Sequence, residues 1–134
     1  MSGTAGELAD ALVEQHASIA RAQFVEIDAV TTLYFERCDE DEKAGGNAAV
    51  QGEFANIEVA FVLSVTEYAA TRMIALGCDL RLRLRRVSAA FASGKIDVGQ
   101  ATALSEVLAN VSEGALDLIE KLLVEGAAGC SSWV

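Results

Sequence analysis

One histidine, His16, and three cysteines, Cys38, Cys78 and Cys130, are the side chains of this 134-residue sequence best suited to metal or nucleophilic chemistry. Their spacing supports neither. No pair of cysteines has Cys-x-x-Cys spacing, and a single histidine cannot complete an ordinary zinc site with them. No Gly-rich phosphate loop and no nucleophile elbow is present. His16 falls on a helical apolar stripe and reads as a packed or partly exposed helix residue. The chain is therefore expected to have no catalytic residue, no metal site, no cofactor and no small-molecule substrate. The odd number of thiols fits a reducing compartment, so a cytoplasmic location is expected.

Two segments carry residue types suited to nucleic-acid contact. From Glu58 to Arg72 the sequence has the outline of a helix-turn-helix: a short apolar helix ending at Leu63, a turn at Ser64-Val65, and a second helix presenting Thr66, Glu67, Tyr68, Thr71 and Arg72. In a DNA reader the second helix would face the major groove, where an arginine can address guanine. Serine stands where glycine is usual at the turn, and Glu67 would oppose phosphate, so an ordinary helical hairpin is the competing reading. The second segment is the cluster Arg81, Arg83, Arg85 and Arg86. On one helix Arg81 and Arg85 would share a face, with Arg83 and Arg86 on the other side. The cluster reads as a phosphate-contacting patch or, equally, as partners for acidic residues of the N-terminal half.

The elements that must position these residues are helices. The chain has no proline, a hydrophobic fraction of 52% and only 6% aromatics, which predicts an all-α fold with an aliphatic core. Thr4-x-x-Glu7, Ser64-x-x-Glu67 and Asp97-x-x-Gln100 have the form of capping boxes. The apolar stripe Leu8, Leu12, Ile19, Ile27, Val30 and Tyr34 predicts a long first helix over 1–38, whose length suggests a bundle or a partner helix. Residues 39–52, with Asp39-Glu40-Asp41-Glu42, Gly45-Gly46 and Gly52, read as an acidic linker. A binding role for the acidic run toward cations or a basic partner is the alternative to a solvated loop. Residues 53–126 read as the bundle core, with a break at Gly77, Asp79 capping a further helix, and Gly126 ending the last one. Residues 127–134 read as an irregular tail. One domain is expected overall.

Charge is distributed unevenly. The formal net charge is −10. Met1 to Ile57 holds eleven acidic and three basic residues, whereas Tyr68 to Lys95 holds six basic residues against Asp79 alone. The total field opposes phosphate backbones, and only the basic middle could contact DNA. No signal-peptide pattern is present, and the longest apolar run, Val59 to Leu63, is too short to span a bilayer. The apolar face of the first helix, in turn, is a candidate homodimer surface.

Several stretches resemble one family. They are Leu33-Tyr-Phe-Glu-Arg-Cys38, Gly52-Glu-Phe-Ala55 with Glu58-Val59, Ile74-Ala-Leu-Gly-Cys-Asp-Leu-Arg-Leu-Arg-Leu84, Ala89-Ala-Phe-Ala-Ser-Gly-Lys-Ile-Asp97, Ala109-Asn-Val-Ser112 and Leu122-Leu-Val-Glu-Gly126. Together, over about Glu7 to Gly126, they are similar to the actinobacterial domain of unknown function numbered 222, the thirteen-E-twelve repeat proteins of mycobacteria. The resemblance implies an N-terminal helical region that often precedes an HNH endonuclease domain. The histidines of such a nuclease do not occur here beyond His16. The resemblance thus implies a truncated or isolated helical domain, non-catalytic, that binds or positions DNA. A dimerisation module and a mobile-element-related copy without independent function are the alternatives.

Overall fold

The computed structural model describes residues 2–45, 52 and 54–129. Among these residues there are six helices and no strand: α1 (Ser2–Lys43), α2 (Ala55–Leu63), α3 (Glu67–Leu82), α4 (Arg85–Ala92), α5 (Val98–Leu108) and α6 (Glu113–Gly129). The all-α fold with a long first helix is thus the observed one. The chain divides into two compact units, Met1–Val25 with Leu80–Val134, and Glu26–Asp79.

In the first unit α4, α5 and α6 pack on one another around Leu84, Val87, Phe91, Ile96, Ala101, Leu104, Leu108 and Leu116, all buried. The N-terminal part of α1 joins them through Ala20, which is buried, and Phe24, whose ring meets Phe91 edge-on at 5.5 Å. Gly94 adopts φ +82 at the end of α4, and a Cβ there would stand 2.8 Å from the Ala17 carbonyl oxygen. Glycine is required by both the left-handed backbone and the close approach. Asp97 and Gln100 form the capping box that their spacing predicts, with Gln100 N–H donating to Asp97 Oδ1 at 2.8 Å and the Gln100 amide accepting from Asp97 N–H at 3.0 Å.

In the second unit Val30, Val59, Ala60 and Ala70 form the core, flanked by Leu33, Leu63, Met73 and Ile74. Thr31 is fully buried, its hydroxyl donating to the Ile27 carbonyl at 2.8 Å. It faces Gly77 so closely that a Cβ on Gly77 would collide with Thr31 Oγ1. This explains the glycine inside α3, which the sequence suggested was a break. The helix continues past Gly77 and Asp79 to Leu82, and the interruption falls at Arg83 and Leu84.

Other boundaries also differ from expectation. The first helix begins at Ser2, ahead of Thr4, and extends through the acidic run to Lys43. Ion pairs offset the like-charge repulsion there: Lys43 with Asp39 at 2.9 Å and Arg37 with Glu40 at 2.9 Å, both at helix-neighbour spacing. Lys43 also complements the helix C-terminus. The Asp41 carboxylate accepts the Gly52 N–H at 2.7 Å. Most of the expected linker beyond Gly45, and the Glu53 start of the expected core, lie outside the described residues. At the other end α6 passes Gly126 and runs to Gly129, with Gln100 Nε2 donating to the Ala127 carbonyl at 3.2 Å. The remainder of the expected tail, 130–134 with Cys130 and Trp133, lies outside the described residues.

Candidate interaction surfaces

The stripe on the first helix divides. Ile27 and Val30 are buried, 4% and 7% exposed, while Leu8, Leu12 and Ile19 are 62%, 65% and 55% exposed. Tyr34 is half-buried, and its phenol is pushed above the ordinary tyrosine range by a hydrogen bond with Cys38 and by burial. The C-terminal portion of the stripe therefore belongs to the core of the second unit. The N-terminal portion lies exposed, as does every residue from Thr4 to His16.

Helices α2 and α3 meet at 113° across the three residues Ser64, Val65 and Thr66. Ser64 takes the left-handed conformation, φ 55, at the end of α2. Its N–H donates to Phe61 O at 3.3 Å, and Val65 N–H donates to Ala60 O at 3.0 Å. This is a Schellman closure with serine in the position that glycine occupies most easily. The expected cap of α3 moves accordingly. Thr66, rather than Ser64, caps it, accepting the Ala69 N–H at 3.0 Å. Thr71 and Arg72 are exposed on α3. Thr71 accepts from Asn56 at 3.4 Å, and Arg72 lies over the Tyr68 ring, 5.8 Å from its centroid. Around the elbow Phe54, Phe61, Val62 and Tyr68 are all strongly exposed.

The arginine cluster is divided by the break between α3 and α4, so Arg81 and Arg85 do not share one helix. Both are exposed. Arg83 is turned into the first unit, where its guanidinium closes the end of α5 by donating to the carbonyls of Leu108 at 2.6 Å and Val111 at 2.9 Å. Arg86 pairs with Asp117 at 2.8 Å, which holds the Asp117 carboxyl below its usual range. Both arginines thus have structural partners, and these come from α5 and α6 rather than from the acidic N-terminal half.

Two polar arrangements escaped sequence reasoning. Glu120, 3% exposed on α6, accepts the N–H groups of Arg86 at 2.6 Å and Val87 at 2.8 Å. It caps α4, whose own N-cap position, Leu84, supplies no side-chain acceptor. An acid on the same helical face as Leu116 and Leu123 was the available signal. His16 Nε2 lies 3.0 Å from Asp97 Oδ2. Burial pushes the Asp97 carboxyl up, but the Gln100 N–H and His16 together hold it below its ordinary value.

Chemistry-bearing groups are sparse. Among the described residues no three His, Cys, Asp or Glu side chains are placed to share a metal ion. A depression of about 390 Å³ in the second unit is lined by Arg37, Asp41, Gly52, Phe54, Ala55, Ile57 and Glu58. Its Arg37 and Glu58 are bound to each other through two hydrogen bonds of 2.8 Å. No single helix among the described residues is long and apolar enough to cross a membrane; α2 and α3 pass such a test only as a bent pair.

These features define an all-α domain whose notable surfaces are exposed apolar residues and a few exposed cations. The chain belongs to the family described as Domain of unknown function (DUF222), whose model matches residues 13–133. No curated protein and no solved structure gives a significant match.

Proposed function

We propose that the chain is a non-catalytic helical interaction module that self-associates through the N-terminal part of α1. The observation that carries this reading is the exposure of Leu8, Leu12 and Ile19 on a helix whose later stripe residues, Ile27 and Val30, are buried within the domain. A large apolar surface without an intramolecular cover favours a partner. A helical segment covered along so little of its circumference gains little from tertiary packing, the main source of helix stability in water. Size-exclusion chromatography with light scattering tests the reading. The wild-type chain should be dimeric, and Leu12→Glu with Ile19→Glu should give a folded monomer. A wild-type chain that is monomeric at high micromolar concentration contradicts it.

A second reading, DNA binding or the positioning of DNA for an HNH nuclease, is favoured by the 113° elbow between α2 and α3, within the range of helix-turn-helix pairs. Thr71 and Arg72 would face the groove; Arg81 and Arg85, which belong to the other unit, would form a separate phosphate-contacting patch. Arg83 and Arg86 are bound internally and leave the contact set. Opposing this reading, Glu26–Asp79, the unit that holds the elbow, contains eleven acidic residues against Arg37, Lys43 and Arg72. Binding would therefore be weak and salt-sensitive. A salt series tests it: loss of one phosphate contact by Arg85→Ala should reduce the log–log slope by about one unit, whereas Arg72→Ala should relax sequence preference by about 1–3 kcal/mol. Absence of binding at low salt overturns the reading.

A further inference from the structure

On α1 the exposed residues Ala5, Leu8, Leu12, Gln15, Ile19 and Ala22 are spaced alternately by three and four residues. In helical projection they lie within about 60° of Leu8. This is the seam of a coiled coil, with Leu8 and Gln15 at d and Leu12 and Ile19 at a. Ala17, Ala20 and Phe24, through which the same helix packs in its own unit, project to the far side, at roughly 120–180°. The seam therefore faces away from the rest of that unit.

Charge identifies the occupant. The positions flanking the seam are Thr4, Ala9, Ala11, His16 and Ser18, and none is acidic. The acids of this segment, Glu7, Asp10 and Glu14, project roughly 100–160° from the seam on one side. A neutral seam is what a chain of net charge −10 can share with a copy of itself, because the acids of this segment stay out of the interface and the one carboxylate beside a flank, Asp97, is paired with His16.

Gln15 identifies the orientation. In an antiparallel pair aligned on the same residues, Leu8 would meet Ile19 and Gln15 would meet Leu12, burying an amide against an apolar side chain. In a parallel pair Gln15 meets Gln15, and the two amides can hydrogen-bond to each other. A single polar residue at the centre of a short seam is a known device for fixing register. Building on the self-association reading above, we propose that residues 5–22 of α1 pair with the same segment of a second copy, parallel and in register, with Gln15 facing Gln15.

Disulfide trapping in the full-length chain tests this. Under mild oxidation Leu8→Cys should give a homodimer bridged 8 to 8, as mapped by peptide mass spectrometry. Mixing the Leu8→Cys and Ile19→Cys chains should give little 8-to-19 bridge. Adding Gln15→Leu should raise the 8-to-19 product, since the reason for the parallel register is gone. A dominant 8-to-19 bridge with Gln15 intact overturns the orientation. A wild-type dimer whose cysteine variants give neither bridge overturns the seam. A monomeric wild type, read separately by light scattering, overturns the self-association reading itself.

Discussion

The Thr31 hydroxyl occupies the space that a side chain on Gly77 would need. The two residues lie on α1 and α3, and a Cβ on Gly77 would run into Thr31 Oγ1. The hydroxyl is not free to leave, because it donates to the Ile27 carbonyl at 2.8 Å in a fully buried position. Gly77→Ala should therefore cost about 1–3 kcal/mol despite the better helix propensity of alanine. Thr31→Ala should recover much of that loss in the double variant. Urea denaturation of the four-member cycle measures the coupling; additive effects would contradict the close approach.

Serine 64 carries a backbone conformation that costs a non-glycine residue of the order of 1 kcal/mol, at φ 55. Its side chain is exposed. Ser64→Gly should stabilise the protein by about 1 kcal/mol, measured as a raised urea midpoint with an unchanged slope. A lowered midpoint would mean that the serine hydroxyl contributes more than the strain removes.

Glu120 replaces the missing cap of α4. Its loss would leave the N–H groups of Arg86 and Val87 without their acceptor. Glu120→Ala should destabilise the chain by about 2–3 kcal/mol at neutral pH, and Glu120→Gln, which retains one acceptor, should cost less. Chemical denaturation of both variants checks the order, and an Ala variant as stable as the wild type contradicts the capping role.

Acid should weaken the fold. Glu58 is held below its ordinary value by Arg37, and Asp117 by Arg86. Asp97 is lowered as well: burial alone would raise it, but the Gln100 N–H and His16 outweigh that. A carboxyl that is more acidic in the folded state contributes stability above its unfolded pKa and loses it as the pH falls through its folded value. The loss should begin near the ordinary values of 4.5 for Glu58 and 3.8 for Asp97 and Asp117, and continue below them. In thermal melts across this range Asp97→Asn should show a shallower decline than the wild type. Parallel declines would contradict a role for Asp97.

The fold class is legible because composition and helix-period spacing are local properties: no proline, apolar stripes and the capping box of Asp97 and Gln100 all indicate helix, whereas α1 starts ahead of Thr4 and Thr66 caps α3 in place of Ser64. Gly77 is ambiguous for the same reason. A lone glycine looks like a break until the neighbouring helix brings Thr31 against it. The acidic run Asp39 to Glu42 looked unable to remain helical, although Arg37 and Lys43 at helix-neighbour spacing were visible compensation. Arg83 and Glu120 were illegible as structural residues, since one caps a helix 25 residues away and the other a helix 34 residues away. Spacing also made one stripe of Leu8 to Tyr34. Periodicity shows which side chains share a face, but only the tertiary contacts show that Ile27 and Val30 are covered while Leu8, Leu12 and Ile19 are not.

Backbone hydrogen exchange at two protein concentrations tests self-association most directly, because it reports both that the chain pairs and where. Residues 4–16 are exposed throughout, so in a lone chain this part of α1 should fray and exchange quickly. Raising the concentration should slow exchange selectively over about residues 5–22 and leave α4, α5 and α6 unchanged. Leu12→Glu with Ile19→Glu should abolish that dependence. Rapid exchange in this segment at every concentration, equal in wild type and variant, would contradict self-association through the first helix.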